Sequence, residues 1–452
     1  VTTQLDLSLV PPLGDPRPHP VPAAEETTLP NGLRVVVVPR PGVPLIELRL
    51  RVPFAAPTER GAGVHTARAS VLSGAVLLGT AAHDQNAIAE LLQGHGAELS
   101  VSTDPDRLLF ATTLLPGGLS PVLGMLAELL TGAAYPADPV EGERDRLVER
   151  IVIARSQPGV IARTALAARR YGSHPYAVQL PDPDVVAEVR PPALRRLHHE
   201  RVVPSGSSLV LVGDLDPRAA VDAVAAALAG WTERGDAVEA PPVPAELHAS
   251  EVSLVDRPGA VQSNIRLGGP APTRTDPDLA ALRLANMVFG GYFSSRYVEN
   301  IRENRGYSYS PRSSVDHQAA GSSFLVEADV ATEVTGPALL ETQYELGRMA
   351  LAPVTEAELD AARRYVLGSM ALSIATHAGL ASTLSALVGA GLPADWLYDH
   401  QRDLAGVTID EVQEASRRYL APSALTTVVV GDADRVAGQL EALGPVGVDG
   451  EK

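Results

Sequence analysis

The sequence predicts an α+β protein of two homologous domains, each a largely antiparallel sheet packed with helices, and an internal repeat is the first reason. PSGSSLVLVGDLDP at 204–217 and PSALTTVVVGDADR at 422–435 align without a gap at an offset of 218 residues. Each copy is an apolar, β-branched strand ending in Gly-Asp, followed by an Ala/Leu-rich helical stretch and preceded by an Arg-rich one. The second reason is alternation, because period-2 strands and helix-period segments take turns along both halves. Third, 452 residues exceed what one ordinary core accommodates. The boundaries that follow are an irregular arm at 1–24, a first domain at 25–234, a linker at 235–248 containing APPVPA, and a second domain at 249–446.

In the first half, Asn31-Gly32 turns the chain into LRVVVVP, and Pro41 to Pro44 turns it again into LIELRLRVPF, which alternates as the partner strand. Residues 61–80 read as a helix of small residues. From Asp84 an amphipathic helix points Ile88, Leu91 and Leu92 inward and stops at Gly94 and Gly96. AELSVST and LLFATTLL flank Asp104-Pro105-Asp106 as a hairpin. A helix opens at Ser120-Pro121, and Asp138-Pro139-Val140-Glu141 resembles a capping box that starts a longer one reaching about Ala154.

In the second half, Asp276 caps a helix with Pro277 at its first position, and Leu279, Leu282, Ala285, Asn286 and Phe289 follow at helical spacing. Gly290-Gly291 breaks it. Ser294 caps a second helix to about Asn304, Gly306 supplies a left-handed stop, and Tyr307 to Ser310 alternates like a strand. Thr355 with Glu358 and Thr408 with Glu411 are capping boxes. Arg302 thereby falls near a helix end and Tyr309 at a strand start. A guanidinium fork beside a phenolic OH suits gripping a peptide carbonyl or an oxyanion. Spacing alone is better served by the plainer reading, an exposed arginine and a half-buried tyrosine.

Composition closes several classes of function. A net charge of −17 argues against nucleic acid or an anionic membrane as partner. No apolar run approaches the ~20 residues of a membrane span, and the first twenty residues lack the basic-then-apolar pattern of an export signal, so a cytoplasmic location is expected. Zero cysteines exclude disulfides and thiolate chemistry. Lys452 is the only lysine, so a phosphate-cradling Walker lysine, a Schiff base and a Ser-Lys dyad are unavailable.

The stretch from Asn286 to Ser314, with the preceding DRPGAVQSNIRLG (256–268), resembles the C-terminal half of the pitrilysin/insulinase-like zinc metallopeptidases, in the branch with mitochondrial processing peptidase and its paired bacterial relatives. The pattern GG-x-x-x-SR then RE-x-x-G-x-x-Y is met by Gly290, Gly291, Ser295, Arg296, Arg302, Glu303, Gly306 and Tyr309. The resemblance spans nearly everything after about residue 25. It implies a clamshell of two halves, with Arg302 and Tyr309 binding substrate backbone beside a zinc site.

That zinc site is missing from this chain. The family's HxxEH helix, aligned on ASVLSGAVLLGT (69–80), places Ser70 at the first His, Ser73 at the Glu and Gly74 at the second His. Glu143 matches the first of two helical glutamates, but Arg150 stands at the second, which is the remaining zinc ligand. An arginine cannot ligate zinc. Other histidines do not replace the set: Leu99 stands where a second ligand after His95 is needed, and Val203 where an HExxH helix continuing from His199 needs its histidine. His198 and His199 read as a polar helix face, and His174 as structural. Ser70 and Ser73 lack the G-x-S-x-G elbow of a nucleophile.

The resemblance therefore implies a subunit that is inert alone and binds no metal. It would pair with an HxxEH-bearing, zinc-holding homologue and contribute Arg302 and Tyr309 in trans to peptide processing. The alternative is a non-enzymatic scaffold or peptide-binding protein of the same fold.

Overall fold

In a computed structural model, residues 23–232, 241–245 and 251–449 are described, so most of the expected arm at 1–24 and of the expected linker at 235–248 lies outside the described residues. The first sheet contains β1 (Glu25–Thr28), β2 (Arg34–Pro39), β3 (Ile46–Pro53), β4 (Ser100–Thr103), β5 (Arg107–Leu114) and β6 (Ser208–Gly213), in the order β1-β2-β6-β3-β5-β4. The second contains β7 (Val252–Asp256), β8 (Gln262–Ala271), β9 (Arg312–Gln318), β10 (Gly321–Ala331), β11 (Thr426–Gly431) and β12 (Val446–Asp449), in the order β12-β7-β11-β8-β10-β9.

The repeat strands β6 and β11 hold equivalent central places. Each pairs in parallel with the first long strand of its half and antiparallel with the next. The sheets differ at one edge. There β1 runs antiparallel to β2, whereas β12 returns from the C-terminal side to lie parallel to β7. Both sheets are mostly antiparallel, and helices pack on them.

This arrangement corrects the pairing expected for β2. LIELRLRVP is not its neighbour, because β6 lies between β2 and β3. Every residue of β6 is buried, and a strand apolar on both faces belongs in the middle of a sheet. The sequence shows that burial but not which strand is displaced to make room.

Two helices explain why both faces are apolar. Helix Pro158–Tyr171 leaves the first half to pack on β8 and β11, and helix His377–Gly389 packs reciprocally on β3 and β6. Val35, Val37, Leu209 and Leu211 accordingly face the core of the first half. Their alternating neighbours Val36, Val38, Val210 and Val212 join the core built by the second. Each half thus completes the other, and the clamshell is latched by exchanged helices.

Local corrections are small. Helix Ala137–Arg155 begins after Pro136 with no side-chain cap, so Asp138 complements the helix dipole instead of forming a capping box. The boxes at Thr355 and Thr408 are both formed. Within the amphipathic helix Gln85–Gly94, Ile88 and Leu92 are buried and Leu91 is half-buried.

Candidate substrate-binding site and a closed metal position

The segment carrying Arg302 is fixed from below by close backbone approach. Helix Leu279–Asn286 passes into a π-helical turn, Met287–Gly291, whose two glycines leave no room for a side chain. A Cβ on Gly290 would stand 2.7 Å from Ser313 Oγ, and one on Gly291 2.8 Å from Asn286 Nδ2. Ser313 Oγ lies 2.6 Å from Asn286 Oδ1, which ties the turn to β9. The next helix begins after Ser295, one residue beyond the expected Ser294 and without a side-chain cap bond, and runs through Arg296–Val298 into a second π segment, Glu299–Asn304. Widened turns of this kind recur at functional sites.

Three contacts hold that second helix. Arg296 grips Glu358 bidentately at 2.6 and 2.8 Å, and with the Thr355 cap this holds the Glu358 carboxyl down at about 2. Tyr297 stacks on Phe289 at 5.1 Å in the buried core. Asn300 donates to Glu341 and Glu345.

On this platform the structure brings Arg302 and Tyr309 together. The Arg302 guanidinium carbon lies 4.7 Å from the Tyr309 ring centroid and 4.9 Å from that of Phe293. Its Nε also approaches Glu303 Oε1 at 3.2 Å. Tyr309 is 82% exposed and Phe293 60% exposed, and the Arg302 side chain retains 31% of its surface. Stacking occupies ring faces and holds the guanidinium at about 0.5–1 kcal/mol per exposed cation–π contact. The result is a preset arginine beside a phenol projecting into solvent. Tyr309 does not begin a strand, however. Gly306 turns at a φ of 65°, residues 309–310 bend, and β9 starts only at Arg312. The Tyr-Ser alternation misleads because Pro311 has no N–H for a ladder and β10 pairs only from Arg312 onward. Phe293 went unrecognised in the sequence; an aromatic residue four before the Tyr297 anchor was the available signal.

The degenerate motif positions also meet. Ser70 and Ser73 spend their hydroxyls on backbone carbonyls of their own helix, Thr66 O at 2.8 Å and Ser70 O at 3.0 Å. Gly74 faces Glu143, and a Cβ there would stand 2.7 Å from Glu143 Oε1. The Glu143 carboxylate, only 14% exposed, is bridged by Arg146 and Arg150, each at 2.9 Å. A lone carboxylate neutralised by two guanidinium groups is no zinc ligand set. Among the described residues no group of three or more His, Asp or Glu could hold a metal, and the residues at the aligned motif positions do not fit zinc.

Two of the histidines weighed in the sequence have structural partners. His174 accepts from the Tyr176 N–H and reaches Pro242 O at 2.8 Å. His198 is not on a polar helix face as expected. It is buried, with Nδ1 2.8 Å from Tyr135 Oη and Nε2 2.9 Å from Leu130 O. An acid-poor, Arg-flanked sequence context concealed that core position.

Comparison with known proteins bears on the same residues. Residues 69–184 match the family model described as insulinase (peptidase family M16), and residues 189–366 match the one described as the peptidase M16 inactive domain. The chain belongs to the M16 peptidase family. A protein named as an uncharacterized zinc protease from Mycobacterium bovis is 27% identical over 404 residues, covering 88% of this chain and 91% of that one. A Helicobacter pylori protein named as a non-peptidase homolog is 22% identical over 76% of this chain and 79% of its own length. The crystal structure of a peptidase M16 inactive domain from Pseudomonas fluorescens superimposes with a TM-score of 0.83 at 25% identity, covering 90% of this chain and 98% of that one. This M16 chain keeps the fold, and Ser70, Ser73, Gly74 and Arg150 stand where the expected alignment puts the family's metal motif.

Proposed function

We propose that this M16 chain is the non-catalytic subunit of a two-chain zinc peptidase, lending Arg302 and Tyr309 to peptides hydrolysed on an HxxEH-bearing homologue. One asymmetry carries the reading. The metal half of the family site is closed by an ion-paired Glu143, whereas Arg302 and Tyr309 remain stacked, held by a rigid platform and exposed. A relic with no role in peptide handling has no need of a preset arginine beside an exposed phenol. In this reading the Arg302 N–H groups donate to substrate backbone carbonyls, and the Tyr309 hydroxyl donates to oxygen that gains charge during hydrolysis.

The test is co-purification of the tagged chain from its source cells, followed by a peptidase assay of what it brings down. An HxxEH-bearing M16 partner and chelator-sensitive cleavage are expected. A chain that purifies alone and leaves a supplied HxxEH homologue's activity unchanged would instead support a scaffold.

A further inference from the structure

β8 ends in Gly268-Gly269-Pro270-Ala271, and helix Pro158–Tyr171 packs against the first of the two glycines. A Cβ on Gly268 would stand 3.0 Å from Arg170 Cδ and 3.1 Å from Leu166 Cδ2, and one on Gly269 2.7 Å from Ala424 O. This close approach lets Arg170 donate to Gly269 O at 2.9 Å. Its guanidinium carbon lies 4.8 Å from the Tyr171 ring centroid, and Tyr171 Oη lies 2.7 Å from Ser323 Oγ on β10. Beside this pair a cavity of about 190 Å³ opens where both halves meet residues 243–245. Val243, Pro244, Pro270, Ala271, Ala320 and Ala424 give it apolar walls. Thr273, Gln318, Ser322 and Thr426 add neutral polar groups, and among the described residues that line it Arg170 alone is charged.

Bonds from the first half fix two of the walls. His174 Nε2 donates to Pro242 O at 2.8 Å, next to Val243. The turn between β9 and β10 is pinned by Asp106, which accepts from the Ala319 N–H at 2.8 Å, and by Tyr176 Oη, which accepts from the Ala320 N–H at 2.9 Å. Pro244 sits against this turn, its Cδ 3.6 Å from where a Cβ on Gly321 would stand. Arg170 has no counter-ion in this framework. Its neighbour Arg169 pairs with Glu251 at 3.2 Å, and Arg266 on β8 takes Glu327 and Asp329 at 3.1 and 2.8 Å. Among the described residues no carboxylate lies within ion-pair distance of Arg170, and Gly269 O and Tyr171 do not exhaust its five N–H donors. Leaving a half-buried guanidinium without a counter-ion costs stability. A smaller cavity of about 110 Å³ shares Arg170, Tyr171 and Gln318, yet its acids, Asp316 and Glu327, are accompanied by Arg163 and Arg266. Of the two, the larger presents a cation without an acid.

We propose that this cavity binds a carboxylate carried on a small apolar group, with Arg170 as its cationic donor. A planar guanidinium fork matches a carboxylate bidentately, and a single cation suits a monoanion better than a phosphate dianion. The apolar walls take the hydrocarbon part of the bearer, and the volume keeps that part small. The site is separate from Arg302 and Tyr309, and its test needs no partner chain. Two sources carry such a group, the C-terminus of a peptide and a free small acid. Isothermal titration of the full chain separates them with three probes: acetyl-Ala-Phe with a free carboxylate, the same dipeptide as its C-terminal amide, and 3-phenylpropanoate. Saturable one-to-one binding is expected with at least one of the two acids and not with the amide, and the tighter acid identifies the source. Arg170→Gln should weaken that binding about tenfold or more. Ala271→Leu, which fills the cavity and leaves the guanidinium in place, should do the same. The comparison of acid with amide is made on the wild type, so it decides the matter even where a variant fails to fold. No saturable binding of either acid, equal binding of acid and amide, or undiminished binding by folded Arg170→Gln would overturn the site.

Discussion

Glu143 shows most directly why a metal would not return by a single reversion. Its carboxylate fills the space beside Gly74 and is held by Arg146 and Arg150. Gly74→His must displace that carboxylate and still leaves a cation at the position of the final ligand. After dialysis against dilute zinc, elemental analysis should find no stoichiometric zinc in the wild type or in Gly74→His; one tightly held ion per chain would contradict the assignment. A second expectation concerns acid. Burial, then Arg283, Arg274 and His317, push His400 down to about 3, and burial, then Arg274 and Arg283, push His317 down to about 4. Unfolded, both take up protons near 6.5. Because only the unfolded chain binds those protons, stability is full above that pH and falls below it. The slope is up to about 1.4 kcal/mol per pH unit for each histidine, less for the partly wet His317. Urea midpoints should therefore drop between pH 7 and pH 5, before most carboxylates titrate, and His400→Gln should flatten the drop.

At the scale of elements, what was legible depended on whether local pattern or tertiary pairing decides. Thr355 and Thr408 announced their helices because a capping box is complete within four residues. Thr355→Ala should cost about 1 kcal/mol, and somewhat more here, since Glu358 also holds Arg296. Chemical denaturation of that variant is the check, and an unchanged midpoint would mean the box contributes nothing. The strand after Gly306 was misread because alternation in Tyr-Ser-Tyr-Ser is local, whereas its lack of a ladder partner is not. The insertion of β6 between β2 and β3 was likewise invisible, since its partners lie more than 150 residues away. The candidate site divides the same way. Arg302, Tyr309, Ser70, Ser73, Gly74 and Arg150 followed from the family resemblance, while the stacking of Phe293 and the Glu143 ion pairs needed three dimensions.

The whole molecule is governed by the exchange of Pro158–Tyr171 and His377–Gly389. Removing either half would strip one face of the other's sheet and expose Val36, Val38, Val210 and Val212 or their counterparts. Calorimetry should record one cooperative transition despite the two sheets, and two well-separated transitions would show the latch to be weak. In the proposed pairing, that rigidity keeps the Arg302 platform fixed for a substrate hydrolysed on the other chain. Tyr309→Phe should leave assembly intact and lower turnover about 10²–10³-fold, the usual loss for one oxyanion donor. Arg302→Ala should raise KM as well. The decisive measurement is therefore the rate at which a quenched peptide is cleaved when wild-type chain, Arg302→Ala or Tyr309→Phe is mixed with the same HxxEH-bearing homologue from its own genome. Assistance in trans predicts rapid cleavage with the wild type and crippled cleavage with either variant, at equal complex formation by gel filtration. Near-normal cleavage with both variants would contradict it.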